Sequence, residues 1–165
     1  MLENPALFAL WSLPFVLPLC FLVAWSDMRA MRIPNWCVLA LVAGYVITGL
    51  VALPLDQFLW GFVHLIIVLV VGFFMNAVGM IGAGDAKFAA AAAPFIHLGD
   101  FRFLIALFAA NILAAFITHR LVARTPMTGL APKWDSWERT WEFPMGLSLG
   151  GTLALYMLLS ALYGA

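Results

Sequence analysis

The sequence predicts an all-α, polytopic membrane protein of about six transmembrane helices. Its 165 residues are 65% hydrophobic and 10% charged, with a mean hydropathy of +1.05. An ordinary soluble domain is about half apolar and about one quarter charged. The apolar residues gather into six segments, most of them near the ~20 residues that a bilayer-crossing helix needs. All but Arg102 of the eight Lys and Arg residues lie in alternate connections between those segments. This composition excludes a water-soluble enzyme, a disordered chain and a disulfide-stapled secreted domain, and favours one integral membrane domain over residues 1–165.

The first segment, 5–25, is preceded by Glu3 and no basic residue, and it is longer than a signal-peptide core. It therefore reads as a retained span. Segment 36–53 follows a connection with Arg29, Arg32 and Pro34, and proline suits a helix start. Segment 58–81 follows a connection with no basic residue, and Lys87 lies in the connection after it. The fourth segment, 86–98, is short and broken by Pro94, but its alanine run 89–93 offers a smooth face for close packing inside a bundle. Segment 101–118 leads into the one long connection, 119–143, with Arg120, Arg124, Lys133 and Arg139. There Trp134, Trp137 and Trp141 recur at helical spacing among acidic and basic residues, which predicts a short interfacial helix with an indole face toward lipid. Segment 143–163 ends the chain, and its Gly146 and Gly150 form a GxxxG seam suited to packing within the bundle. The positive-inside rule puts the odd connections in the cytoplasm and both termini outside.

Charge and cysteine usage narrow the functional classes. Eight basic residues balance eight acidic ones, so no global field favours nucleic acid. Cys20 and Cys37 form no C-x-x-C pair, and His64, His97 and His119 are scattered, so the sequence offers neither a zinc knuckle nor an evident metal site. No cofactor is implied. Asn76 and Asn111 are expected to bond across helices.

Ionisable residues beside membrane spans invite a functional reading. Parity puts Asp27 and Asp85 at the cytoplasmic face, and Asp56 and Asp100 at the other as solvated loop carboxylates or helix starts. Two carboxylates at one depth are the minimum for aspartic hydrolysis, because closely placed acids share a proton and so provide a base and an acid together. The plainer reading pairs Asp27 with Arg29 or Arg32, and Asp85 with Lys87. Asp85 sits in Gly82-Ala83-Gly84-Asp85-Ala86-Lys87, where glycine permits unusual backbone angles and close approach of another chain. Asp27 is followed by Ile33-Pro34-Asn35 at the end of a basic turn.

Together these segments resemble the type IV prepilin peptidase family, intramembrane aspartic proteases with a GxGD motif. Phe143-Pro144-Met145-Gly146 also resembles the family's proline-glycine opening of its last span. The resemblance implies Asp27 and Asp85 as the catalytic pair; Gly82, Gly84, Pro34 and Asn35 are candidates for shaping the site or touching substrate, and so is Lys87, whose plainer role is a snorkelling cytoplasmic anchor. It implies cleavage of a prepilin leader after a glycine at the cytoplasmic boundary of the bacterial inner membrane. The chain looks like the short form found with tight-adherence (Flp-type) pili, whose substrates are small prepilins and pseudopilins. An N-terminal cytoplasmic domain, a cysteine-pair zinc site and N-methyltransferase activity are not expected in that form. A homodimer and contact with pilus assembly machinery are left open. The competing classes are a small proton- or cation-coupled carrier and a non-catalytic membrane subunit. A carrier would place its acids near the midplane in repeated halves, and no repeat is visible.

Overall fold

In the computed structural model the chain is helical throughout, and residues 1–131, 133–139 and 142–165 are described, without the side chains of Met127 and Leu130. Helices α1 (Ala6–Ala30), α2 (Asn35–Ala52), α3 (Leu55–Ala77), α4 (Ala83–Ala92), α5 (Phe101–Val122), α6 (Asp135–Glu138) and α7 (Met145–Tyr163) follow in order. Among the described residues five helical stretches are long and apolar enough to cross a membrane: α1, α2, α3, α5 with its preceding turn, and α7.

The short α4 is the exception, and it is central. Ten residues at ~1.5 Å each reach about half the thickness of a hydrocarbon core. Pro94 then converts the chain to a 3₁₀ turn, Ala93–Phe95, and the backbone continues to a second one at Leu98–Asp100. That is enough to carry the chain from one end of the bundle to the other. Ala86, Ala90, Ala91 and Ala92 are buried, and α4 packs against α3, α2 and α7. At Gly72 of α3 an added Cβ would lie 3.0 Å from the Ala86 methyl, so small residues on both helices set this approach. The polypeptide thus passes six times between two ends, as the hydropathy predicts.

The largest interface joins α1 to α7. Gly150 presses against the backbone of α1, where an added Cβ would lie 2.8 Å from the Cys20 carbonyl oxygen. The expected glycine seam therefore faces α1 within the bundle. Buried Phe8, Tyr45 and Phe95 form an aromatic centre, and the Tyr45 hydroxyl donates to the Phe58 carbonyl at 2.8 Å. The Asn111 amide crosses from α5 to the Ser148 carbonyl and the Thr152 hydroxyl of α7, both at 3.0 Å. Asn76 instead stays local, donating to the Ile81 carbonyl at 2.8 Å and closing the α3–α4 turn. Large apolar side chains such as Phe73, Phe74, Ile105 and Leu113 point outward from α3 and α5, as lipid contact requires.

Asp100 departs from the expectation of a solvated loop carboxylate. It is the N-cap residue of α5, yet it is only 5% exposed. It accepts hydrogen bonds from the backbone N–H groups of Glu3 (2.9 Å) and Asn4 (3.1 Å) and from the Tyr156 hydroxyl (2.8 Å). Nearby the Leu2 N–H reaches the Tyr163 carbonyl at 3.0 Å, so both termini are held at this end. The Asp100→Ala protein would leave three donors without their acceptor, and each buried unpartnered group costs about 1–3 kcal/mol. Its unfolding free energy in detergent is expected to fall by about 3 kcal/mol, read from denaturant midpoints; an unchanged midpoint would mean that water satisfies those donors.

Candidate active site

At the opposite end from Asp100, four helix termini converge: the last turn of α1, the first turns of α2 and α4, and the start of α7. Hydropathy stops at Trp25, but α1 keeps its hydrogen bonding to Ala30 and ends at Met31 in the left-handed conformation (φ 50°). Asp27 therefore lies in the helix and not in the loop after it. Its side chain is buried, and the Gly146 N–H donates to its Oδ2 at 2.6 Å.

The α1–α2 connection folds back over α4. The Ser26 hydroxyl donates to the Arg32 carbonyl at 2.9 Å, Ile33 is buried, and Pro34 caps α2 ahead of Asn35. Gly84 meets Ile33, where an added Cβ would lie 3.3 Å from the Ile33 Cβ. Lys87 donates to the Asn35 side-chain oxygen at 3.2 Å, on the exposed rim. The two sequence segments singled out above are thus in direct contact, residue against residue.

Asp85 occupies the third position of α4 after its N-cap, Gly82. From there its carboxylate reaches back to the Gly82 N–H, the acidic half of a capping box. A Cβ at residue 82 would lie 2.7 Å from the Asp85 Oδ2, so any side chain there would push the carboxylate aside. The turn before it is set by Gly79 at φ +78° and by the Asn76 bond. Asp85 is half-buried and lies outside the five spanning helices. Burial first, and the charge of Asp27 second, push its carboxyl up to about 6, against the Gly82 bond, which favours the anion. The two carboxyls therefore sense each other. Among the described residues neither is paired with a Lys or Arg, so the plainer ion-pair reading does not hold.

The sequence model of the type IV leader peptidase family matches residues 15–119, a stretch that contains both aspartates. The chain belongs to that family. No curated protein and no solved structure matches it. Membership makes the protein one of the leader peptidases, with prepilin substrates, set in a membrane by several apolar helices.

In the long connection of this leader peptidase helix α6 has four residues, and Trp141 lies outside the described residues. The other two indoles are half-buried and also pack on protein. Trp134 packs edge-on against Trp25 of α1 at 5.0 Å between ring centroids, and Trp137 stacks on buried His119 of α5 at 4.9 Å. Helical spacing cannot tell lipid from protein as the partner of an aromatic face. The carboxylate contact of Gly146 was also not readable from spacing, although a Pro-x-Gly step at a helix start marks a place where backbone can approach closely.

A methyl group at residue 82 would displace the Asp85 carboxylate without entering a core. The Gly82→Ala protein is expected to insert normally and to lose about a hundredfold in prepilin cleavage, as misplacement of a reacting group by ~1 Å can cost. Cleavage within a few-fold of the parent would show that Asp85 adapts.

Proposed function

We propose that this protein is an aspartic endopeptidase that removes the leader of Flp-type prepilins and pseudopilins. It cuts after a glycine at the cytoplasmic boundary of the bacterial inner membrane, and it has no N-methyltransferase activity. The observation that carries the reading is that two carboxyl groups lie at one end of the bundle with no cationic partner among the described residues, one of them raised by burial first and by the other's charge second.

In this reading Asp27 and Asp85 share one proton. The ionised carboxylate takes a proton from a water, whose oxygen bonds to the scissile carbonyl carbon as the protonated partner gives its proton to the carbonyl oxygen. The C–N bond then breaks. The first carboxyl passes its proton to the leaving nitrogen, and the second recovers one from the diol hydroxyl as the new carboxyl group forms. Gly82, Gly84 and Pro34 shape backbone against which an extended peptide can lie, and Lys87 and Asn35 form its rim. Orientation follows from charge: Arg29, Arg32, Lys87 and the basic residues between α5 and α7 all belong to the end that holds the aspartates.

Co-expression with an Flp-type prepilin tests the assignment. The parent is expected to shorten the prepilin, and Asp27→Asn and Asp85→Asn to leave it full length while inserting normally; cleavage by either variant removes that aspartate from the mechanism. The pH dependence has a definite sign. Asp85 is protonated below about 6 and ionised above it, so kcat/KM is expected to decline as pH rises through that value and the shared proton is lost. It also falls at low pH, when both groups are protonated. A flat profile in the detergent-solubilised enzyme would contradict a shared proton. Orientation is checked separately by single cysteines at 30 and 101, which should label from opposite faces of the membrane.

A further inference from the structure

The two aspartates are not equivalent in their surroundings, and the difference comes from α7. Its N-cap, Pro144, provides no side-chain acceptor for the free N–H groups of the first turn. Asp27 provides it from another helix: the Gly146 N–H, second in α7, donates to its Oδ2 at 2.6 Å, a short charge-assisted length. Asp27 is thus the cap of a 19-residue helix across 119 residues of sequence.

We infer that the N-terminus of α7 makes Asp27 the ionised member of the pair and hence the general base, with Gly146 as its positioning residue, and leaves Asp85 as the proton donor. The inference rests on the proposed aspartic mechanism. A backbone N–H and the positive end of a helix both favour a carboxylate over a carboxylic acid. Once Asp27 is charged, a neighbouring acid keeps its proton more tightly. Asp85 has only the N–H of its own helix cap, at the start of a helix of ten residues.

The helix that presents Gly146 is fixed on two sides. Gly150 rests on α1 at the Cys20 carbonyl, and Asn111 of α5 bonds to Ser148 and Thr152. Residue 146 itself has no room for a side chain, because an added Cβ would lie 2.8 Å from the Asp27 Cβ and 3.1 Å from its Cγ. The charged groups on the elements packed around Asp27 are Asp85 and Lys87 on α4, Arg29 on α1, Arg32 in the following turn, and Asp135 and Glu138 on α6. α2 and α7 add only thiol and phenol groups, Cys37, Tyr45, Tyr156 and Tyr163, which are neutral near pH 7.

Replacing the amide N–H of Gly146 by an ester oxygen, with glycolic acid in place of glycine, removes the donor and adds no atom that can clash. Purified protein with this single change, assayed on an Flp-type prepilin across pH, is expected to show the acid limb of kcat/KM moved up by about one pH unit, with the alkaline limb unmoved. The same replacement at Leu147, whose N–H donates to the Pro144 carbonyl at 3.2 Å, removes a helix-start bond that does not touch Asp27 and should keep the parent profile. Movement of the alkaline limb would make Asp27 the proton donor, and no movement would remove Gly146 from the mechanism; both overturn the inference. Should the ester protein fail to insert, Gly146→Ala, which keeps the N–H but pushes Asp27 away from it, should also move the acid limb up, while Gly150→Ala, which strains the same α1–α7 seam away from the aspartate, should not. An unmodified protein that cleaves no prepilin would sink the peptidase mechanism itself, a result distinct from an unmoved limb.

Discussion

A carboxylate taken out of water has to be given hydrogen-bond donors, and inside a bundle of apolar helices the donors available are backbone N–H groups at helix starts. The bond from Gly146 to Asp27 is the point at which the first and last long helices of this protein meet that need for each other. α7 lacks a side-chain cap of its own, and Asp27 lacks a cation. One contact satisfies both. It also explains why the α1–α7 interface is the largest in the molecule and why glycines line it: Gly146 admits the carboxylate and Gly150 admits the α1 backbone.

The far end of the bundle uses the same physics for a different purpose. Asp100 is as buried as Asp27, at 5% against 6% exposure, but it accepts three hydrogen bonds where Asp27 accepts one. A carboxylate has about four lone-pair sites. At Asp100 most of them are occupied by the N-terminal backbone and Tyr156, which suits a clasp for the chain termini. At Asp27 the Gly146 bond takes one of them, and among the described residues most are left unused, which is what the proposed activation of a water needs.

This contrast also marks how far the sequence could be read. The six passes and the shared end of Asp27 and Asp85 were legible because lipid imposes length and apolarity on every span, and crossing parity follows from counting. The apolar segment ends at Trp25 while the helix runs on through Asp27 to Ala30, because hydropathy records where apolar residues end and says nothing of where backbone hydrogen bonds end. The helix start at Asp100 is legible but its burial is not, because its three partners come from the N-terminal residues and from a helix 56 residues away. The tryptophans of the long connection have the periodicity of an indole face, and the contacts of Trp134 with Trp25 and of Trp137 with His119 are not contained in that periodicity. In each case the missing information is long-range contact, which local pattern does not contain.

The glycines of the site share a single physical role that differs from flexibility. Gly82 leaves space for the Asp85 carboxylate, Gly84 for Ile33 of the neighbouring connection, and Gly146 for Asp27. All three adopt backbone angles open to any residue, since among the described residues Gly79 is the one glycine with positive φ. Each therefore acts by the absence of a Cβ at a close approach. The consequence is that four helix ends pack against one another without bulky side chains between them, and their unpaired backbone groups lie beside the two acids. Non-helical backbone is tolerated at membrane depth only where protein or water surrounds it. A convergence of helix ends meets that condition, and in the proposed mechanism it also offers an extended peptide substrate backbone beside the two carboxyl groups.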